Sequence, residues 1–232
     1  MDMHEKDLER QDKATLIAII QRMLQLQPDL AWVLETVQPA FTQDTQTFDP
    51  APYRQQIQAA ILAADTHDRD RRYREEMRQT LATIQTIAAD HNQRQESDAA
   101  LAIYEVLVSE VLERYSQPHA DYEAFTVVLY HCIDGLDTCF ADSEENPKRR
   151  LRALQALFSI YRFFTDSHMD LEEDIPGLLV ANANAEERQQ IAEWVREAQA
   201  SHVSTNWPPD ERYRSYGVLL RRLEKERREQ GK

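Results

Sequence analysis

Glycine is scarce in this 232-residue chain, which has only Gly135, Gly177, Gly217 and Gly231. Folds rich in β-hairpins need residues of positive φ at many tight turns, so a sheet of many hairpins is not expected. The same scarcity leaves no G-x-x-x-x-G-K-[ST] loop, no G-x-G-x-x-G turn and no G-x-S-x-G elbow, which excludes nucleotide-binding and α/β-hydrolase motifs. Cysteine is nearly absent too. Cys132 and Cys139 lie seven residues apart in an apolar helical stretch, about 10 Å along a helix axis, too far for a bridge. They read as packed thiols, and a disulfide framework of the secreted kind is not available. No run approaches the ~20 apolar residues of a membrane span, and the charged start MDMHEKDLERQDK lacks the apolar stretch of a signal peptide. A cytoplasmic location, away from membranes, is expected.

What the chain has is charge and helical period. Hydrophobic residues make up 42% and charged residues 29%, with a net charge of -14. That balance suits helices with one wet face, and the length is enough to bury a core without staples. The negative charge is concentrated: Asp90 to Glu145 holds 13 acidic residues against Arg94 and Arg114, an excess of 11. Such a segment repels phosphate backbones and attracts basic surfaces, so a protein partner with a basic face is expected and nucleic acid is not.

Apolar residues recur with helical spacing from end to end. Leu16, Ile19, Ile20, Met23 and Leu24, with a second stretch from Leu30 to Val37, predict an N-terminal helical hairpin over residues 1–38. The three prolines of PAFTQDTQTFDPAP, without period, mark a linker over 39–52. A main helical domain over 53–232 follows. Its helices are expected at Tyr53–Ala64, Arg69–Ala89, from Ser97 as N-cap to Tyr115, and at Tyr122–Phe140. After a break at Ser143–Pro147, a helix begins at the proline with Leu151, Leu154, Leu157, Phe158 and Tyr161 on one face. An acidic turn from Asp166 to Gly177 precedes the last two helices, Glu186–Ala200 and Asp210 to about Arg228. The strongest stripe is Phe125, Val128, Leu129, Cys132, Ile133, Leu136, Cys139 and Phe140, which predicts a central core helix.

The fold class is therefore all-α: stacked antiparallel helix pairs, joined by short breaks. Pairs recur at about 45 residues. An irregular helical-repeat array of the tetratricopeptide or HEAT kind is expected, although the signature residues of the tetratricopeptide repeat do not align.

Three stretches carry a family resemblance: KATLIAIIQRMLQLQPDLAWVLE, then RLRALQALFSIYRF with EEDIPGLLVANANAEERQQIAEWVREA, and WPPDERYRSYGVLLRRLE. Together they resemble the helical region that accompanies the SWIM-type zinc finger in a group of bacterial proteins. That finger uses a Cys-x-Cys pair followed by Cys-x-His, because a tetrahedral zinc needs four ligands from two short loops. Neither element occurs here. The resemblance thus implies a helical scaffold without the finger, its zinc or its nucleic-acid binding.

No other constellation carries chemistry. His131, Asp134 and Asp137 share a helix that supplies too few converging ligands for a metal. Asp166, His168, Asp170, Glu172 and Glu173 begin like a calcium loop, but Gly177 stands at the twelfth place and no glycine at the sixth. DTHDRD, from Asp65 to Asp70, lacks the further His and Asp motifs of metal phosphohydrolases. Lys148, Arg149, Arg150 and Arg152, and the run Arg221, Arg222, Lys225, Arg227 and Arg228, read as solvated basic faces. No catalytic residue, cofactor or metal is expected. The leading expectation is a non-enzymatic scaffold or adaptor that binds a protein partner. Its surface is either a groove between stacked helices or the acidic middle at Glu105, Glu110 and Glu113, where Tyr104, Tyr115 and Tyr122, with Tyr130 beside them, are the nearest aromatic residues, each expected first as a core-packing residue and otherwise as an apolar anchor. Two other readings stay open: a metal-dependent hydrolase drawing on His67, Asp68, His91, His119, His131, Asp134 or His168, and a nucleic-acid accessory protein. Homo-oligomerisation also stays open.

Overall fold

The computed structural model describes residues 48–67, 70–117, 120–141, 146–167, 174–202 and 211–230. The chain divides into two compact units, 1–46 and 47–232, and the described residues belong to the second. The expected hairpin over 1–38 and the linker from 39 to 47 lie outside them.

The described residues form eight α-helices and no strand. They are α1 (Ala51–Thr66), α2 (Arg71–Gln93), α3 (Ser97–Tyr115), α4 (Tyr122–Ala141), α5 (Pro147–Ser167), α6 (Ile175–Asn182), α7 (Ala185–His202) and α8 (Glu211–Gln230). Among them no helix is long and apolar enough to cross a membrane.

Local signals start most of these helices. The Asp70 carboxylate accepts from the Arg72 N–H at 2.9 Å, satisfying one of the orphan donors at the start of α2. Asp174 does the same for Gly177 ahead of α6, where Pro176 stands in the first turn. Asn184 and Glu187 form a reciprocal capping box at α7: the Asn184 side chain accepts from Glu187 N–H at 3.0 Å, and the Glu187 carboxylate accepts from Asn184 N–H at 2.8 Å. Ser97, expected as an N-cap, is instead the first residue of α3 and is buried. The turn explains the difference. Gln95 adopts φ 62°, and the Glu96 carboxylate is drawn to His91 Nδ1 at 2.5 Å, so the chain enters α3 one residue earlier.

Every helix from α1 to α6 packs on the helix two places further along, and adjacent helices from α1 through α6 also pack on each other. The odd helices α1, α3, α5 and α7 thus form one row, and α2, α4, α6 and α8 a second row against it. Arg78–Asp121, Gln85–Val128 and Asn92–Gly135 contacts all join residues 43 apart, so α2 and α4 run parallel, with α3 turned back between the two. The core is one cluster running from Tyr53 to Leu223. Helices α3 and α4 sit deepest: all eight residues of the expected α4 stripe are buried.

These two helices approach closely at Gly135. A Cβ there would lie 2.1 Å from the Tyr104 ring, so the ring of α3 rests directly on the glycine backbone of α4.

Candidate functional site

The acidic middle of the chain divides once it is folded. On α3, Glu105 receives a bidentate hydrogen-bonded ion pair from Arg152 of α5. Glu110, only 11% exposed, lies 3.0 Å from Arg54 of α1 and accepts from Gln58 at 3.0 Å. Asp121, ahead of α4, is held by Arg78 of α2 through contacts of 3.0 and 3.1 Å. Burial pushes its carboxyl up, but bonds from Arg78 and the Ala124 N–H outweigh that and hold it below the usual range. The arginines that neutralise the acidic segment thus come from helices outside it.

Glu113 is exposed, without a hydrogen-bond or ion-pair partner among the described residues. The four tyrosines part company. Tyr104 is buried on Gly135, and burial raises its phenol. Tyr115 is buried as well, bonded to Thr126 at 2.8 Å and packed against Tyr122, Phe125, Phe163 and Phe164. Tyr122 is 53% exposed at the start of α4, and Tyr130 is half-buried. Of the six expected surface residues, Glu113 and Tyr122 face solvent, Glu105 and Glu110 tie helices together, and Tyr104 and Tyr115 belong to the core.

A different face, on α4, is acidic as well. Helix α4 contains Glu123, Asp134 and Asp137 and no Lys or Arg. The Asp134 side chain is exposed with no hydrogen-bond or ion-pair partner among the described residues. Asp137 accepts only a neutral amide, from Asn182 at 2.8 Å, and Glu123 is reached by Arg78 at 3.8 Å. One turn after Glu123 stands Val127, 49% exposed, on the same outer face. Asp134 follows two turns further along that face, about 10 Å from Val127 along the axis.

Compared with protein-family models, with curated proteins and with solved structures, the chain matches none.

Among the described residues no three His, Cys, Asp or Glu side chains converge as a metal site. His67 stacks on Tyr73 at 4.0 Å, His91 pairs with Glu96, and His131 is exposed on α4, the helix of Asp134. Asp68, His119 and His168 lie outside the described residues. Cys132 is buried and its thiol pushed up by burial, while Cys139 donates to the Asn92 side chain at 3.3 Å. Both are buried, and neither forms a disulfide among the described residues. Asp166, the first residue of the calcium-like run, lies inside α5 and accepts from the Tyr216 hydroxyl at 2.8 Å. The basic run at 148–152 is largely engaged inside the protein: Arg150 holds Glu187 and the Asn182 carbonyl, and Arg152 holds Glu105.

Charges counted along the chain place the acidic surface on α3. The distinguishing signal lies on α4: a helix with carboxylates on its polar side and no Lys or Arg of its own.

Proposed function

We propose that this chain is a non-catalytic helical scaffold that binds another protein through the outer face of α4. One observation carries the reading: Asp134 and Asp137 are turned to solvent on a helix that also exposes Val127 and has no Lys or Arg of its own. A basic protein surface is attracted to such a face before contact, and an apolar side chain on the same helix supplies contact area that charge alone does not. The helical scaffold implied by the family resemblance is in keeping with this reading and adds no residue to it.

The test replaces charge without disturbing the stack. Glu123→Gln, Asp134→Asn and Asp137→Asn keep shape, and the amide oxygen that Asp137→Asn introduces can still accept from the Asn182 amide. Wild-type protein used as bait in an extract of the source cell is expected to retain a partner that the triple variant loses. The association rate of that partner should fall between low and physiological salt while dissociation changes little, because screening acts on approach. Retention of no protein, or equal retention by both baits, would overturn the reading.

A further inference from the structure

The solvent side of the row α4–α6–α8 has opposite charge on its two flanks. Helix α4 presents Val127 and Asp134. Helix α8 presents Val218, 37% exposed, with the exposed Arg221 three residues on, on the same side of the helix. Between them lies α6, packed on α4, on α8 and on α5, so that one side of it stays open. That side is apolar and small: Ala181 is exposed and Gly177 and Leu178 are half-buried.

We propose that this face recognises a second copy of the chain, about a two-fold axis running along α6, which lays α4 of each copy on α8 of the other. The proposal rests on the reading of α4 as a partner-binding face and names the partner. An acid–apolar–base strip becomes self-complementary only under that operation. A two-fold axis running across the helices would set α4 on α4 and α8 on α8, like charge against like, whereas the axis along α6 exchanges the flanks and closes the assembly as a dimer. Each contact then appears twice, Asp134 of one copy beside Arg221 of the other, around an apolar centre supplied by both copies of α6. Two 20-residue helices flanking one of eight residues, at the usual 8–10 Å spacing, make a strip of roughly 600 Å², the lower end of the area that each partner buries in a specific complex.

The net charge of -14 on each copy acts against association at long range. At physiological salt that repulsion is screened beyond about 8 Å, while the paired groups at contact lie inside that distance. Dimerisation is therefore expected to strengthen from very low salt to physiological salt and to weaken again at high salt.

Sedimentation equilibrium of the full chain tests the proposal through a charge exchange, with circular dichroism as the check on folding. Asp134→Lys and Arg221→Glu alter exposed side chains, and each is expected to raise the dimer dissociation constant at least about tenfold, since the altered contact occurs twice. The double variant restores opposite charges across the interface and should return to within about threefold of wild type. Monomeric wild type at all concentrations, single variants that dimerise as wild type, or a double variant no better than the singles would each overturn the proposal. A monomeric wild type that still retains a foreign basic protein through α4 would remove self-recognition and leave the scaffold reading standing. A wild-type dimer obeying the charge exchange while capturing no foreign protein would do the reverse.

Discussion

Along the row α1–α3–α5–α7, successive helices are joined by arginine–carboxylate pairs: Arg54 with Glu110, Arg114 with Asp65, Arg152 with Glu105 and Arg150 with Glu187. Along α2–α4–α6–α8 the central joints are neutral. Gln85 donates to the Val128 carbonyl at 3.0 Å, Asn92 to the Gly135 carbonyl at 3.1 Å, and Asn182 to Asp137, with arginine pairs only toward the ends, at Asp121 and Asp174. An amide can tie two helices without consuming a carboxylate. The first row uses its acids for stacking, and the second leaves Asp134 of α4 to the solvent. Charge in the odd row should therefore govern stability, and charge on α4 should govern association.

Breaking the most buried joint of the odd row should have the largest effect. Arg150 and Glu187 lie 2.9 Å apart with side chains 14% and 8% exposed. Arg150→Met would leave Glu187 without its cation and the Asn182 carbonyl without that donor, at a cost of about 3 kcal/mol. Urea unfolding followed by circular dichroism measures it, and a loss below about 1 kcal/mol would place this pair among surface ion pairs.

In the even row the corresponding weak point is steric. Gly135→Ala puts a methyl group into the Tyr104 ring, and overpacking of a buried aromatic should cost about 2 kcal/mol. Tyr104→Leu removes the ring that is struck. The double variant should then lose less than the two single changes added together, a coupling that thermal denaturation of all four proteins would expose.

The pattern of apolar residues makes most of the first half of this fold legible. The stripe of α4 can be read residue by residue because a buried helix must place its apolar groups three and four apart. Contacts between alternate helices join residues 43, 45, 47 and 48 apart in Gln85–Val128, Asp137–Asn182, Glu105–Arg152 and Asp174–Arg222. Helix α6 is hidden from such a reading. Its sequence, IPGLLVAN, is eight residues long and apolar on nearly every side, so it shows no period, although Asp174 and Pro176 carry the start signal. The pairing of charges is not legible either. Arg54, Arg78 and Arg152 lie outside the acidic segment in sequence and against it in space, which a count along the chain cannot register.

The arginine pair at the edge of the even row is expected to show itself in acid. Asp121 is held below the usual carboxylate range by Arg78 and the Ala124 N–H, so its contribution is complete above the ordinary aspartate value near 3.9 and is lost as pH falls through its lower folded value. Arg78→Gln should lower stability by on the order of 1 kcal/mol at neutral pH, as befits a partly exposed pair, with wild type and variant converging in strong acid. A difference that stays constant down the acid limb would assign the loss to packing of the arginine stem instead.

The smallest effect on stability is the one that separates the two rows most clearly. The Asp134 side chain has no ion-pair or hydrogen-bond partner among the described residues, so Asp134→Asn removes a charge and no contact within the protein. Its unfolding free energy should stay within about 0.5 kcal/mol of wild type, as for surface changes away from any network. Glu110→Gln is the matched change on α3. It neutralises a carboxylate that is 11% exposed and engaged by Arg54 and Gln58, so it should cost about 1 kcal/mol or more. Association should rank the two the other way, with Asp134→Asn slowing capture of a basic partner or of a second copy and Glu110→Gln leaving it near the wild-type rate. Both quantities can be measured on the same preparations, by chemical denaturation and by stopped-flow mixing. If Asp134→Asn destabilises as much as Glu110→Gln, or if the Glu110 variant is the slower to associate, then the division between a row that stacks through its charges and a row that displays them is wrong.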